Sequence, residues 1–77
     1  AAVYLSQILT DNMRNRRVAL NLSQERTAER LGINLRRYQS IEGGQRSNLT
    51  LETLKAVAKA LELEPWQLLM PGYVAIP

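Results

Sequence analysis

The chain has 77 residues, is 45% hydrophobic and 5% aromatic, and carries a net charge of +3. It has no cysteine and no histidine, which excludes disulfide staples, a Cys/His zinc site and catalysis centred on either residue. At this length one apolar core barely outweighs chain entropy, so stability must come from packed Leu, Ile, Val, Ala and Met, with a partner subunit as the other source.

The charge is unevenly placed. Residues 1–46 hold eight arginines against Asp11, Glu25, Glu29 and Glu42, a net +4, whereas Lys55 and Lys59 meet Glu52, Glu62 and Glu64 in the remainder, a net −1. Arginine is a planar, multidentate donor suited to phosphate and base edges, although it is also an ordinary surface residue of helices. No apolar run approaches the roughly 18 residues of a membrane span, and no signal pattern opens the chain.

Residues 4 to 20 place Leu5, Leu9, Met13 and Leu20 on one stripe at helical spacing, which predicts a first helix. Asn21 suits the left-handed conformation that ends helices. Ser23 is a good N-cap and Glu25 lies in the first turn, so a second helix is predicted from about 24 to 31, with Thr27, Ala28 and Leu31 inward and Gly32 closing it.

Asn34 then caps a third helix from about 35 to 42, stopped by Gly43 and Gly44. Two short helices joined by a tight glycine-containing turn form a helix-turn-helix. Thr50 caps a fourth helix whose inner face is Leu51, Leu54, Val57, Ala58 and Leu61. Glu64 and Pro65 open a fifth that runs to about Leu69. The fold class is all-α, a compact five-helix arrangement. The expected organisation is one domain over 1–77, with a core of about 5–69 and an extended tail at 70–77 that ends in YVAIP.

On a wheel centred on Arg36, Ser40 lies about 40° to one side, Gln39 about 60° to the other and Arg37 at about 100°, while Tyr38 and Ile41 point away. The outer face of the third helix is therefore cationic and polar without a carboxylate, and this pattern points to an anionic partner. A helix fits the major groove of DNA, where arginine donates twice to guanine and glutamine or serine can pair with several base edges. Arg36, Arg37, Gln39 and Ser40 are the candidate base readers, with Arg37 at the rim and suited to phosphate. Leu35 reads equally as core or as a contact to a thymine methyl.

Ser23 and Gln24, at the start of the second helix, can meet phosphate through free amides and a side-chain donor, although Ser23 reads equally as a plain cap. Gln45, Arg46, Ser47 and Asn48 form a second group of phosphate candidates.

The stretch LSQERTAERLGINLRRYQSIEGGQRSNLTLETLKAVAKALELEPWQLL resembles the phage repressor and Cro type of helix-turn-helix domain, a lambda-repressor-like, Xre-like class that includes restriction-modification controller proteins and some antitoxins. The resemblance spans about residues 9 to 69. It implies a five-helix DNA-binding fold, with the second helix crossing the backbone and the third in the major groove. It also implies base contacts at Leu35, Arg36, Arg37 and Ser40, and phosphate contacts at Gln24 and around Gln45 to Asn48.

Arg16 and Arg17 both fall near the apolar stripe, and the resemblance selects Arg17 to pair with Glu42 beneath the third helix. Thr27, Arg16, Asn21 and Tyr38 depart from the family pattern. Thr27 is expected to bond back to the preceding turn, and Tyr38 to pack inward with its hydroxyl reaching the surface.

These readings predict a sequence-specific, DNA-binding transcription regulator, bacterial or phage-encoded, cytoplasmic and associated with the nucleoid. It is expected to act as a homodimer on double-stranded DNA with a two-fold operator, because one short helix reads only a few base pairs. Trp66, Leu68 and Leu69 are the candidate dimer surface. No membrane, metal or cofactor is expected, and an enzyme is disfavoured for want of a catalytic constellation. The alternative is an antitoxin or other protein-interaction module with a protein partner.

Overall fold

The computed structural model describes residues 2–44 and 49–71. Five helices follow in order: α1 (Ala2–Ala19), α2 (Gln24–Leu31), α3 (Leu35–Glu42), α4 (Leu51–Ala60) and α5 (Pro65–Leu68). No strand occurs among the described residues. Each of the three central starts is fixed by a side chain that accepts from the amide three residues on: Ser23 from Arg26 at 3.0 Å, Asn34 from Arg37 at 2.8 Å and Thr50 from Thr53 at 3.1 Å. At α5 the Glu64 amide donates to the Gln67 side chain at 2.8 Å, one half of a capping box.

Three helices end in the same way. Asn21, Gly32 and Glu62 have φ of 60°, 71° and 60°, and the next residue of each donates its amide five residues back: Leu22 to Arg17, Ile33 to Ala28 and Leu63 to Ala58. This is the Schellman ending, which satisfies orphan carbonyls and turns the following apolar side chain inward. Leu22, Ile33 and Leu63 accordingly pack against the core. Only Gly32 was a ready left-handed residue; Asn21 tolerates the conformation, and Glu62 adopts it without sequence warning. After α3 the positive φ falls on Gly44, at 77°, whereas Gly43 remains right-handed.

The core joins Leu9 and Met13 of α1, Ala28 of α2, Tyr38 and Ile41 of α3, Val57 and Ala58 of α4, Leu61, and Leu68 of α5. Leu5 and Leu51, expected on inner faces, are 46% and 78% exposed. Both lie in the first turns of their helices and line an open apolar cleft of about 320 Å³ together with Leu9, Leu49, Leu54 and Leu69.

Buried polar groups tie the helices together. Asn12, 1% exposed, donates to the carbonyls of Leu68 and Met70 at 2.7 and 2.8 Å, so α1 holds the end of α5. Arg16 donates to Leu61 O at 3.0 Å, and Arg30 to Ala60 O at 2.9 Å. Two cations thus occupy the negative C-terminal end of α4. Thr27 bonds back to Ser23 O at 2.9 Å, which satisfies its buried hydroxyl.

Candidate nucleic-acid interface

The α2–α3 unit turns within three residues, Gly32 to Asn34, because the left-handed glycine ends one helix and the Asn34 cap starts the next. Burial then divides α3 by face. Tyr38, Ile41 and Glu42 are buried; Leu35, Arg36, Arg37 and Gln39 are exposed, and Ser40 is half-buried. Arg36 and Arg37 have no side-chain hydrogen bond or ion pair among the described residues, in contrast to Arg16, Arg17, Arg26 and Arg30. Leu35 lies on the outer side, 37% exposed.

Beneath this face lies a network centred on Glu42. Arg17 donates through Nε to Oε1 at 2.7 Å and through its second terminal nitrogen to Oε2 at 3.3 Å, while its other terminal nitrogen bonds Leu22 O at 2.8 Å. The Tyr38 hydroxyl donates to Oε1 at 2.7 Å, and Gln24 Nε2 donates to Oε2 at 2.7 Å. Four donors therefore fill the four acceptor sites of one carboxylate. Gln39 Nε2 donates in turn to Gln24 Oε1 at 3.2 Å. The network joins α1, α2 and α3 beneath the exposed face of α3.

Burial favours the neutral carboxylic acid at Glu42, but the bonds from Arg17, Gln24 and Tyr38 and the arginine charge outweigh it and hold the group below the usual carboxylate value. The bond to Glu42 is the main influence raising the Arg17 guanidinium, against its own desolvation. Burial first, and then the neighbouring carboxylate, push the Tyr38 phenol far above its ordinary range.

Three of the sequence expectations change. Tyr38 is 0% exposed and its hydroxyl ends on Glu42, not at the surface, because the i, i+4 spacing stacks the two side chains on the inner face. Leu68 is also fully buried, so this candidate dimer residue belongs to the core cluster, and Asn12 fixes its carbonyl. Trp66 is 58% exposed and Leu69 half-buried. Gln24, read as a phosphate donor, has its amide engaged by Glu42 and Gln39 and keeps one N–H of Nε2. The spacing of 18 and 15 residues between these partners left no signal in the sequence. Ser23 acts as the cap of α2, while Gln45, Arg46, Ser47, Asn48 and residues 72–77 lie outside the described residues.

A tight helical pair, anchored from below and presenting arginines without partners among the described residues, is the arrangement of a helix-turn-helix protein, and similarity to known proteins places the chain among DNA-binding transcriptional regulators. Residues 13–65 match the helix-turn-helix family model, and the chain belongs to the helix-turn-helix family. Control protein C.SmaI of Serratia marcescens is 44% identical over 57 residues, which cover 74% of this chain and 67% of that protein. The crystal structure of the hypothetical transcription factor NHTF from Neisseria superposes with a TM-score of 0.81 at 33% identity, over 87% of this chain and 76% of that one. Among the described residues no group of carboxylates could hold a metal ion, and no helix is long and apolar enough to cross a membrane.

Proposed function

We propose that this chain is a sequence-specific regulator of the restriction-modification controller type, binding as a homodimer to a two-fold DNA operator with α3 in the major groove. The observation that carries the reading is the outer face of α3: Arg36 and Arg37 exposed, without hydrogen-bond or ion-pair partners among the described residues, on a helix whose exposed residues include no carboxylate. Arg36, nearest the centre of that face, reads a base; Arg37, at the rim, holds a phosphate, and Ser40 and Leu35 flank them. The amides opening α2 at Ser23 and Gln24 meet the backbone on one side. On sequence grounds Gln45 to Asn48 meet it on the other. The similarity to C.SmaI, a control protein, supports the regulatory role.

Dimerisation follows from the short reading helix, since two half-sites about 34 Å apart multiply affinity and specificity. Exposed Trp66 and half-buried Leu69 supply apolar surface, and Leu69 also lines the cleft with Leu5 and Leu51. The protein would act in the cytoplasm, at the nucleoid, where its target lies.

Selection of bound sites from random duplex DNA tests this reading, with an inverted repeat of two half-sites as the expected product. Arg36→Ala should relax one base position in each half-site by about 5- to 150-fold in discrimination. Affinity should fall steeply with salt. Recovery of no motif, together with salt-independent association, would transfer the fold to the protein-interaction class.

A further inference from the structure

We infer that Glu42 and Gln24 are positioning residues for base recognition. The buried carboxylate orients the Gln24 amide, Gln24 orients the Gln39 amide, and Gln39 is thereby set to accept from a base that presents an amine, adenine or cytosine. The inference rests on the reading of α3 as the major-groove helix.

An ionised carboxylate only accepts hydrogen bonds. Gln24 can therefore meet Glu42 at 2.7 Å only through Nε2; its carbonyl there would set two oxygens against each other. With Nε2 committed, Oε1 is the end that faces Gln39, and it accepts from Gln39 Nε2 at 3.2 Å. The same reasoning passes outward one step. A reversed Gln39 amide would oppose two carbonyl oxygens, so its nitrogen is turned to Gln24 and its oxygen is left free.

Gln39 is exposed on the outer side of α3. Its remaining capacity is the whole of Oε1 and one N–H. In the major groove adenine N6 and cytosine N4 donate, whereas guanine O6 and thymine O4 accept. A glutamine with no fixed partner turns its amide over and suits either kind of edge. Here the turn would break the bond to Gln24 and leave an oxygen facing an oxygen, so guanine or thymine can be met only through the one remaining N–H, with Oε1 left unmatched. Adenine, with N7 beside N6, matches both remaining groups.

Gln24 thus has a base-dependent effect without touching a base, and this separates the inference from a phosphate contact, which affects all sequences alike. The experiment is site selection from random duplex DNA by the full chain, its Gln39→Met, Gln24→Met and doubly substituted variants, with helical circular dichroism on each. The wild-type chain should favour adenine or cytosine at one position per half-site by about tenfold, the discrimination of a good base contact. Gln39→Met should abolish that preference. Gln24→Met should admit guanine and thymine there to within about twofold of adenine and cytosine and leave the Arg36 position unchanged. The double variant should match Gln39→Met alone, the mark of two residues acting in series.

Gln24→Ala, which removes the same amide with less bulk, is run in parallel against a folding defect in the methionine variant. Uniform weakening by both Gln24 variants with the preference intact would overturn the inference, as would a wild-type preference for guanine or thymine at the Gln39 position. A wild-type chain that enriches no motif would remove the DNA reading itself, and the inference with it.

Discussion

Arg17 of α1 and Glu42 of α3, 25 residues apart in sequence, meet at 2.7 Å with side chains 15% and 4% exposed. Such a pair contributes little net stability relative to an apolar pair, because desolvation offsets attraction, but its halves cannot be separated cheaply. Glu42→Ala leaves the Tyr38 hydroxyl and two of the Arg17 donors without their acceptor and should cost about 3 to 5 kcal/mol. Urea unfolding followed by circular dichroism checks this; a loss under about 1 kcal/mol would show that water replaces the carboxylate freely.

The same carboxylate sets an acid limb. Its folded value is lowered, so below the ordinary 4.5 the unfolded chain takes up a proton that the folded chain refuses. Stability from Glu42 is therefore complete above that value and is lost as the pH falls through the lower folded one. The urea midpoint should fall as the pH drops from about 5 to 3, and the fall should be shallower in Glu42→Gln, whose amide does not titrate. Equal slopes in the two proteins would count against the network.

Tyr38 sets the opposite limb. The chain has three tyrosines, Tyr4, Tyr38 and Tyr73. Because the Tyr38 phenol is raised above its ordinary 10.0, its contribution is complete below that value and is lost as the pH rises, when the unfolded phenol ionises first. An ultraviolet titration should show one tyrosine that ionises only with unfolding. Tyr38→Phe keeps the ring, removes the bond to Glu42 and should cost about 1.5 to 3 kcal/mol.

At the other end of the fold, two α5 substitutions should separate packing from association. Leu68→Ala empties a core site and should cost about 2 to 5 kcal/mol of stability. Trp66→Ala acts at an exposed position and, for the proposed dimer, should chiefly raise the dissociation constant, measured by sedimentation equilibrium. A Leu68→Ala protein that keeps its stability but loses its dimer would reverse the assignment.

Asn12→Ala removes the two bonds that hold the carbonyls of Leu68 and Met70. Its cost should be about 1 to 3 kcal/mol. Amide exchange should accelerate in α5 before it does in α3, since only α5 is tied through this residue.

What could be read without coordinates was mostly local. Ser23, Asn34 and Thr50 announce their helices because a cap acts over three residues, and Gly32 announces a turn because its conformation is its own. Partners far apart in sequence were less legible. Asn12 on α1 gave no hint of α5, and Gln24 reads as a free donor until Glu42 is brought beneath it. Leu68 failed for a related reason: α5 is a single turn, too short for periodicity to say which side is inner. Leu5 and Leu51 have the right residue type and spacing, yet lie at helix ends where the described structure leaves a cleft open.

The division of α3 bears on how such a protein can acquire a new target. Its attachments to the scaffold run through the buried Tyr38, Ile41 and Glu42, whereas Leu35, Arg36 and Arg37 are exposed. Substitutions at those three exposed positions can therefore drift with little loss of fold, and if α3 reads DNA as proposed, a lineage can retarget it without rebuilding its support. Gln39 stands apart, since it is roped through Gln24 to the buried carboxylate. A change there is heard in both places, so on the proposed reading Gln39 is the position of α3 slowest to be rewritten.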